Sequence, residues 1–158
     1  MAEQQSAANS QIQVRVLGQY VKDLSFESPN MLRIMQEPPA SPNLNLEINV
    51  QPAQVGPDLY EAALTFKAKA ADPKGTIYDL EIIYAGVFEI KNAPAEALDP
   101  MLNINCPALL FPFLRRLAAD LTREGGFPPL LLDPVDFGGL YLKKREALQK
   151  AMPSGKPS

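Results

Sequence analysis

The chain of 158 residues contains no histidine. That removes the side chain best suited to moving protons near neutrality, and with it the commonest metal ligand. Cys106 is the single cysteine, which rules out an intrachain disulfide and a Cys/His zinc site. With no histidine to act as its base, Cys106 reads as a buried structural thiol rather than a nucleophile. No patch of clustered Lys and Arg is present, and nucleic-acid binding rests on such patches. The opening MAEQQSAANSQ is polar and lacks the charged start and apolar core of a secretory signal. No run of about 18 apolar residues is expected to span a membrane. The glycine pairs at 125–126 and 138–139 lack the spacing of a phosphate loop, and DPKG at 72–75 is a turn. Enzyme chemistry, a bound cofactor, nucleic acid and membrane insertion are all disfavoured. A binding protein working in the cytoplasm is what remains.

The length suits one domain that buries roughly 70% of the surface its unfolded chain exposes. Net charge is −3 but unevenly placed. Residues 1–100 carry 13 acids and 7 bases (−6), and residues 101–158 carry 5 acids and 8 bases (+3). Such a bias suits a basic protein partner.

Hydrophobic period switches once along the chain. The first half alternates, in QIQVRVLGQYVKDLSF, LNLEINV, LYEAALTFKAKA and TIYDLEIIYAGVFEI, which predicts strands near 12–26, 44–50, 58–70 and 76–90. Proline- and glycine-bearing separators mark turns between them. The short connectors after the second and third strands demand antiparallel neighbours, while the longer link after the first can return around the sheet. In the second half Leu110, Leu114, Leu117 and Leu121 form one helical stripe, with Phe113 and Ala118 beside it. Pro107 suits the first turn, Gly125 and Gly126 the left-handed stop, and Pro112 is expected to bend the helix or delay its start. Asp136 is placed to cap a second helix to about Ala151, with Phe137, Leu140, Tyr141 and Leu148 as its apolar side. Strands followed by helices give an α+β domain over 11–151, with residues 1–10 and 152–158 as disordered arm and tail.

Two surfaces stand out. Between the helices the chain reads GGFPPLLLDPVDF, a proline-studded loop that hangs Phe127, Leu130, Leu131, Leu132 and Val135 where surface polarity is the norm. Apolar stretches of this kind mark binding surfaces. On the fourth strand Tyr78, Leu80, Ile82 and Tyr84 point one way, and Asp79, Glu81 and Ile83 the other. Asp23 and Glu27 join those carboxylates if the first strand pairs nearby. Asp79 and Glu81, roughly 7 Å apart along a strand, have a separation also met in glycosidases. They lack the accompanying loop that would desolvate one of them, so a solvated outer face is the competing reading.

These residues carry a resemblance. YVKDLSFESPN at 20–30, GVFEI at 86–90 and CPALLFPFLRRLAADLTREGGFPPLLLDPVDF at 106–137 are similar to the SecB family of bacterial export chaperones, and the likeness runs from about 12 to 142. It implies a four-stranded antiparallel sheet with two C-terminal helices packed on one face, assembled as a dimer of dimers. Protomers of the family join sheets at the edge and stack through the first helix. Leu80, Ile82, Tyr84, Leu110, Leu114, Leu117 and Leu121 are the expected interface of this homotetramer. It implies ATP-independent binding of unfolded secretory precursors in a groove lined by Tyr60, Tyr78, Phe88, Phe127, Leu130, Leu132, Val135 and Phe137. It implies delivery to the SecA motor ATPase, whose basic, zinc-bearing tail would meet Asp23, Glu27, Asp79 and Glu81. Asp79 departs from the apolar residue usual there. The basic C-terminal region, with Lys143, Lys144, Arg145, Lys150 and Lys156, replaces an acidic tail. The rival readings are a SecB-like chaperone devoted to one partner, such as an antitoxin, and a carboxylate enzyme or small-ligand protein.

Overall fold

A computed structural model describes residues 11–151; the arm and tail expected at 1–10 and 152–158 lie outside the described residues. Four strands, β1 (Gln13–Glu27), β2 (Asn43–Gly56), β3 (Leu59–Asp72) and β4 (Gly75–Lys91), form one antiparallel sheet in the order β1-β4-β3-β2. The links from β2 to β3 and from β3 to β4 are two-residue turns, since Gly56 pairs with Leu59 and Asp72 with Gly75. Asp58 takes a left-handed φ of 57° in the first, a conformation that Asp tolerates better than most residues. β2 is longer than its alternation suggested and runs through Pro52. A residue without an N–H is tolerated there because β2 is an edge strand.

The link from β1 to β2 must cross from one edge of the sheet to the other. It carries a short helix absent from the sequence reading, α1 (Met31–Gln36). Six residues are too few to hold a helix unaided, and side chains tie this one to the β3–β4 end. The two guanidinium nitrogens of Arg33 donate to the two carboxylate oxygens of Asp72 at 3.2 and 3.3 Å. Asn30 Nδ2 donates to the Thr76 carbonyl at 2.9 Å. The Arg33 hydrogen bonds hold the Asp72 carboxyl below its usual range.

β4 faces the two ways its alternation predicts. Tyr78, Leu80, Ile82, Tyr84, Phe88 and Ile90 are buried, whereas Asp79 is exposed and Glu81 half-buried. The buried face is covered by a helix that starts earlier than expected. It runs through α2 (Ala95–Pro100), a π-helical turn (Met101–Asn105) and α3 (Cys106–Glu124). Pro107 therefore sits inside a continuing helix, and the helix passes through Pro112 rather than starting after it. Cys106, Leu110, Leu114, Ala118 and Thr122 recur every four residues and point into the sheet. Burial pushes the Cys106 thiol up to about 11, which makes it inert as a nucleophile at neutral pH. By length and composition alone the stretch Ala95–Glu124 is apolar enough to cross a membrane, as the core helix of a sheet-packed domain can be. Its inner stripe is committed to the sheet.

Gly125 and Gly126 end α3 for different reasons. The Phe127 N–H reaches the Thr122 carbonyl and the Gly126 N–H the Arg123 carbonyl, each at 3.0 Å, the paired bonds of a Schellman cap. Gly126 supplies the left-handed residue at φ 89°. Gly125 makes room, because a Cβ there would stand 2.4 Å from the Phe26 ring. After the loop, Asp136 Oδ1 accepts the Gly139 N–H at 3.0 Å and caps α4 (Phe137–Ala151) as predicted. α4 leans on the π-helical turn, with the Tyr141 hydroxyl donating to Asp99 Oδ2 at 2.5 Å. Leu148, expected on its apolar side, is 59% exposed, because among the described residues none covers the second half of the helix.

Helix and sheet pack closely at Gly86, where a Cβ would meet Leu110 Cδ2 at 2.9 Å and the Phe88 ring at 3.1 Å. Gly86→Ala is expected to lower stability by about 1–3 kcal/mol through overpacking. Adding Leu110→Ala should cost less in that background than in the parent. Denaturant unfolding of the four proteins measures both effects, and strict additivity would count against the contact.

Candidate functional site

The greasy loop at 125–136 forms one wall of a trough. It is tied to α3 through Thr122, which is fully buried. The Thr122 hydroxyl donates to the Ala118 carbonyl at 2.8 Å and accepts the Leu130 N–H at 2.8 Å. Phe127 packs on Tyr78 with ring centroids 5.0 Å apart, and Tyr78 stacks on Phe26 at 5.8 Å. Leu132 turns inward while Leu131 stays 66% exposed.

The opposite wall is β2. Leu44, Leu46, Ile48 and Val50 alternate along it and share one face. Three depressions follow β2, the first two between strand and loop and the third between strand and α4. The first, about 310 Å³, is lined by Leu44, Tyr78, Phe127, Ile34, Pro39 and Pro42 among others. The second, about 170 Å³, includes Leu46, Ile48, Phe66, Phe111, Leu132 and Val135. The third, about 370 Å³, lies under α4 and includes Ile48, Val50, Asn103, Tyr141, Lys143 and Lys144. β2 is also a sheet edge, so among the described residues one row of its backbone groups has no partner strand.

Of the residues expected to line a groove, Tyr78, Phe127, Leu132 and Val135 do so. Tyr60 and Phe88 do not line these depressions; they pair across β3 and β4 beneath the helical layer, and Phe88 is 1% exposed. Phe137 is likewise interior, edge-on to Phe111 with centroids 6.0 Å apart. Leu130 is half-buried and contributes its N–H to the anchor on Thr122. The sequence reading missed the β2 wall. Its alternation was visible, but nothing local says which strand ends at an edge.

The outer face of the sheet gathers the predicted carboxylates. Glu27 pairs with Asp79 and Ser25 with Glu81, and Asp23 follows opposite Ile83. Register adds what the linear reading missed: Lys69 stands beside Asp79 and Lys67 beside Glu81 on β3. The face is thus acidic on β1 and β4 and basic on β3. Among the described residues none of these six side chains takes part in an ion pair. Glu61, farther along the same face, is different: Lys22 donates to it at 2.7 Å and the Tyr20 hydroxyl donates to its other oxygen. The Lys22 hydrogen bond holds Glu61 below its usual range, and bonding to Glu61 pushes Tyr20 up to about 12. Asp79 and Glu81 line none of these three depressions.

The expected self-association residues need correction. Leu80, Ile82, Leu110 and Leu114 are 0% exposed within one protomer, where they join sheet to helix and have no surface to offer a copy. Tyr84 is buried, its hydroxyl on Gln19 and its ring stacked on Phe113. Leu117 and Leu121 are half-buried. The outward apolar residues of α3 are instead Leu109 and Phe113, 42% and 47% exposed. β1, the other sheet edge, adds exposed Val14, Val16, Leu17, Val21 and Leu24.

A family model described as preprotein translocase subunit SecB matches residues 7–148. The protein-export protein SecB of Rhodopseudomonas palustris (strain TIE-1) is 47% identical over 146 residues, covering 92% of this chain and 91% of its own. That of Bartonella bacilliformis is 45% identical over 139 residues, covering 88% and 87%. Among solved structures, a SecB-like chaperone of Mycobacterium tuberculosis, in complex with an antitoxin peptide, superposes with a TM-score of 0.60. It is 14% identical and covers 84% of this chain and 95% of its own, a likeness of fold.

Thr122→Val keeps the shape of the side chain and removes both hydrogen bonds. It is expected to cost about 1–3 kcal/mol for the stranded Leu130 N–H and to speed amide exchange at Leu130 more than at Leu114. Equal protection in parent and variant would mean the loop is held by packing alone.

Proposed function

The chain belongs to the SecB family, and from that premise we propose that it is an ATP-independent chaperone for protein export. It holds unfolded secretory precursors in the β2–loop trough and passes them to the SecA motor ATPase. The observation that carries this reading is the trough itself: apolar depressions in a row beside a free strand edge. An extended segment placed there gains on two counts. Each large apolar side chain buried contributes about 1.5–3 kcal/mol, and its backbone can pair with the edge of β2 as an added strand. Folded proteins hide both kinds of group, so selectivity falls on chains that have not folded.

Release without nucleotide places the exchange on the partner. The outer face of the sheet supports a contact through Asp23, Glu27, Asp79 and Glu81, with Lys67 and Lys69 narrowing the acidic area to β1 and β4. Assembly into a dimer of dimers is supported by the exposed apolar residues of β1 and by Leu109 and Phe113 on α3. Several troughs on one particle would then raise avidity through effective concentration. The chaperone acts in the cytoplasm, on the side where precursors are made. The relatives above are export proteins, which favours general export over service to a single client.

Binding of a secretory precursor held unfolded, compared with the same precursor folded, tests the core of the proposal. The unfolded form is expected to bind at least tenfold more tightly, and equal affinity for both would sink the idea. Glu27→Lys and Glu81→Lys are expected to weaken SecA binding by roughly tenfold or more, because like charges juxtaposed at an interface cost several kcal/mol. Client binding should be unchanged. A parallel loss of both activities would point to misfolding instead.

A further inference from the structure

The trough is uneven in charge along its length. The depression beside α1 has no charged side chain in its lining. The middle one is bordered by the carboxylate of Asp133, while Glu47 of the same stretch turns to the outer face beside Lys67. The one under α4 carries Lys143 and Lys144. Lys144 reaches inward, its Nζ donating to the Val50 carbonyl of β2 at 3.2 Å, which puts an ammonium at the strand wall. Arg145 lies over the Tyr141 ring, 5.6 Å from its centroid, and adds positive charge at the same end. Asp99 is the nearby counter-charge, and it is already occupied by the Tyr141 hydroxyl and by the Asn103 amide at 3.3 Å. Among the described residues neither Lys143 nor Lys144 has an ion-pair partner.

We propose that Lys143 and Lys144 make the trough selective for extended segments whose apolar stretch is followed, at the α4 end, by an acidic residue. This rests on the reading of the trough as the client site and adds to it a charge preference with a position. From Leu44 to Val50 the wall spans roughly 20 Å at about 3.4 Å per residue, so a client of about seven residues reaches from Phe127 to Lys144. Large apolar side chains fill the first depression. An acid placed mid-segment meets Asp133 and is rejected, while the same acid at the end meets the lysines. Rejection at one place and attraction at another is how a shallow site discriminates.

The test uses the full-length protein and fluorescent peptides with both termini blocked, each a seven-residue aromatic and aliphatic segment. One ends in Glu-Glu, one in Gln-Gln, one in Lys-Lys, and one carries Glu-Glu at its centre. The Glu-ended peptide is expected to bind about threefold to tenfold more tightly than the Lys-ended one, the scale of two partly exposed ion pairs. The centrally acidic peptide should bind more weakly than the Gln-ended one. In Lys143→Glu/Lys144→Glu the ranking of the two charged ends should invert, with the Gln-ended peptide unchanged. The same ranking in parent and variant, or no ranking in the parent, overturns the proposal. If the Gln-ended peptide binds but a Phe127→Asp variant binds it equally well, the trough is not the client site, and it is the underlying reading that fails.

Discussion

A helix about 10 Å across cannot cover four strands spaced about 4.8 Å apart. This mismatch of widths organises the molecule. α3 lies over β3 and β4, where Ala62, Leu64, Ala68, Leu80 and Ile82 are wholly buried. The inner faces of the two edge strands are left over. On β1 the remainder is a row of exposed valines and leucines; on β2 it is Leu44 to Val50, half roofed by the loop. A second full helix over either edge would have produced an ordinary closed core. Instead α4 leans on the π-helical turn and leaves a gap beside β2.

Much of this was legible in the chain, and the failures have a common cause. Alternation located all four strands, and Asp136 with its following apolar residues located α4. What alternation cannot reveal is who covers whom. Leu110 and Leu114 lie on one stripe, and a stripe looks the same whether it meets its own sheet or a copy. Their complete burial within the protomer decides it. The resemblance groups Tyr60 and Phe88 with Tyr78 in the groove, but of the three only Tyr78 lines one of the depressions. The start of the helix was misplaced because Pro107 reads as a first turn, and a π-helical turn that carries the chain past it leaves no sequence signal.

Long-range partners account for the rest. α1 is only six residues long, too short for the helix propensity of Met31, Leu32 and Arg33 to hold it alone, and Arg33 on Asp72 ties it across the sheet end. Lys67 and Lys69 were plain alternating residues of a strand until register set them beside Glu81 and Asp79. The outer face is therefore a pattern of two signs where the sequence offered only one. The carboxylate pair that invites comparison with a glycosidase lies on that outer face, Asp79 exposed and Glu81 half-buried.

The two edges of the sheet also bear on how large an assembly can grow. Heterologous addition, β1 of one copy to β2 of the next, would propagate without limit as a ribbon. Twofold pairing through β1 alone stops at two sheets and leaves a β2 edge at each outer end. Pro52 within that edge lacks an N–H, and the Lys144 ammonium occupies the Val50 carbonyl. Both blunt a long, regular strand–strand match while sparing a short one. On the proposed function, the strand edge that would take an unfolded segment is in this way less open to a second copy of the chain.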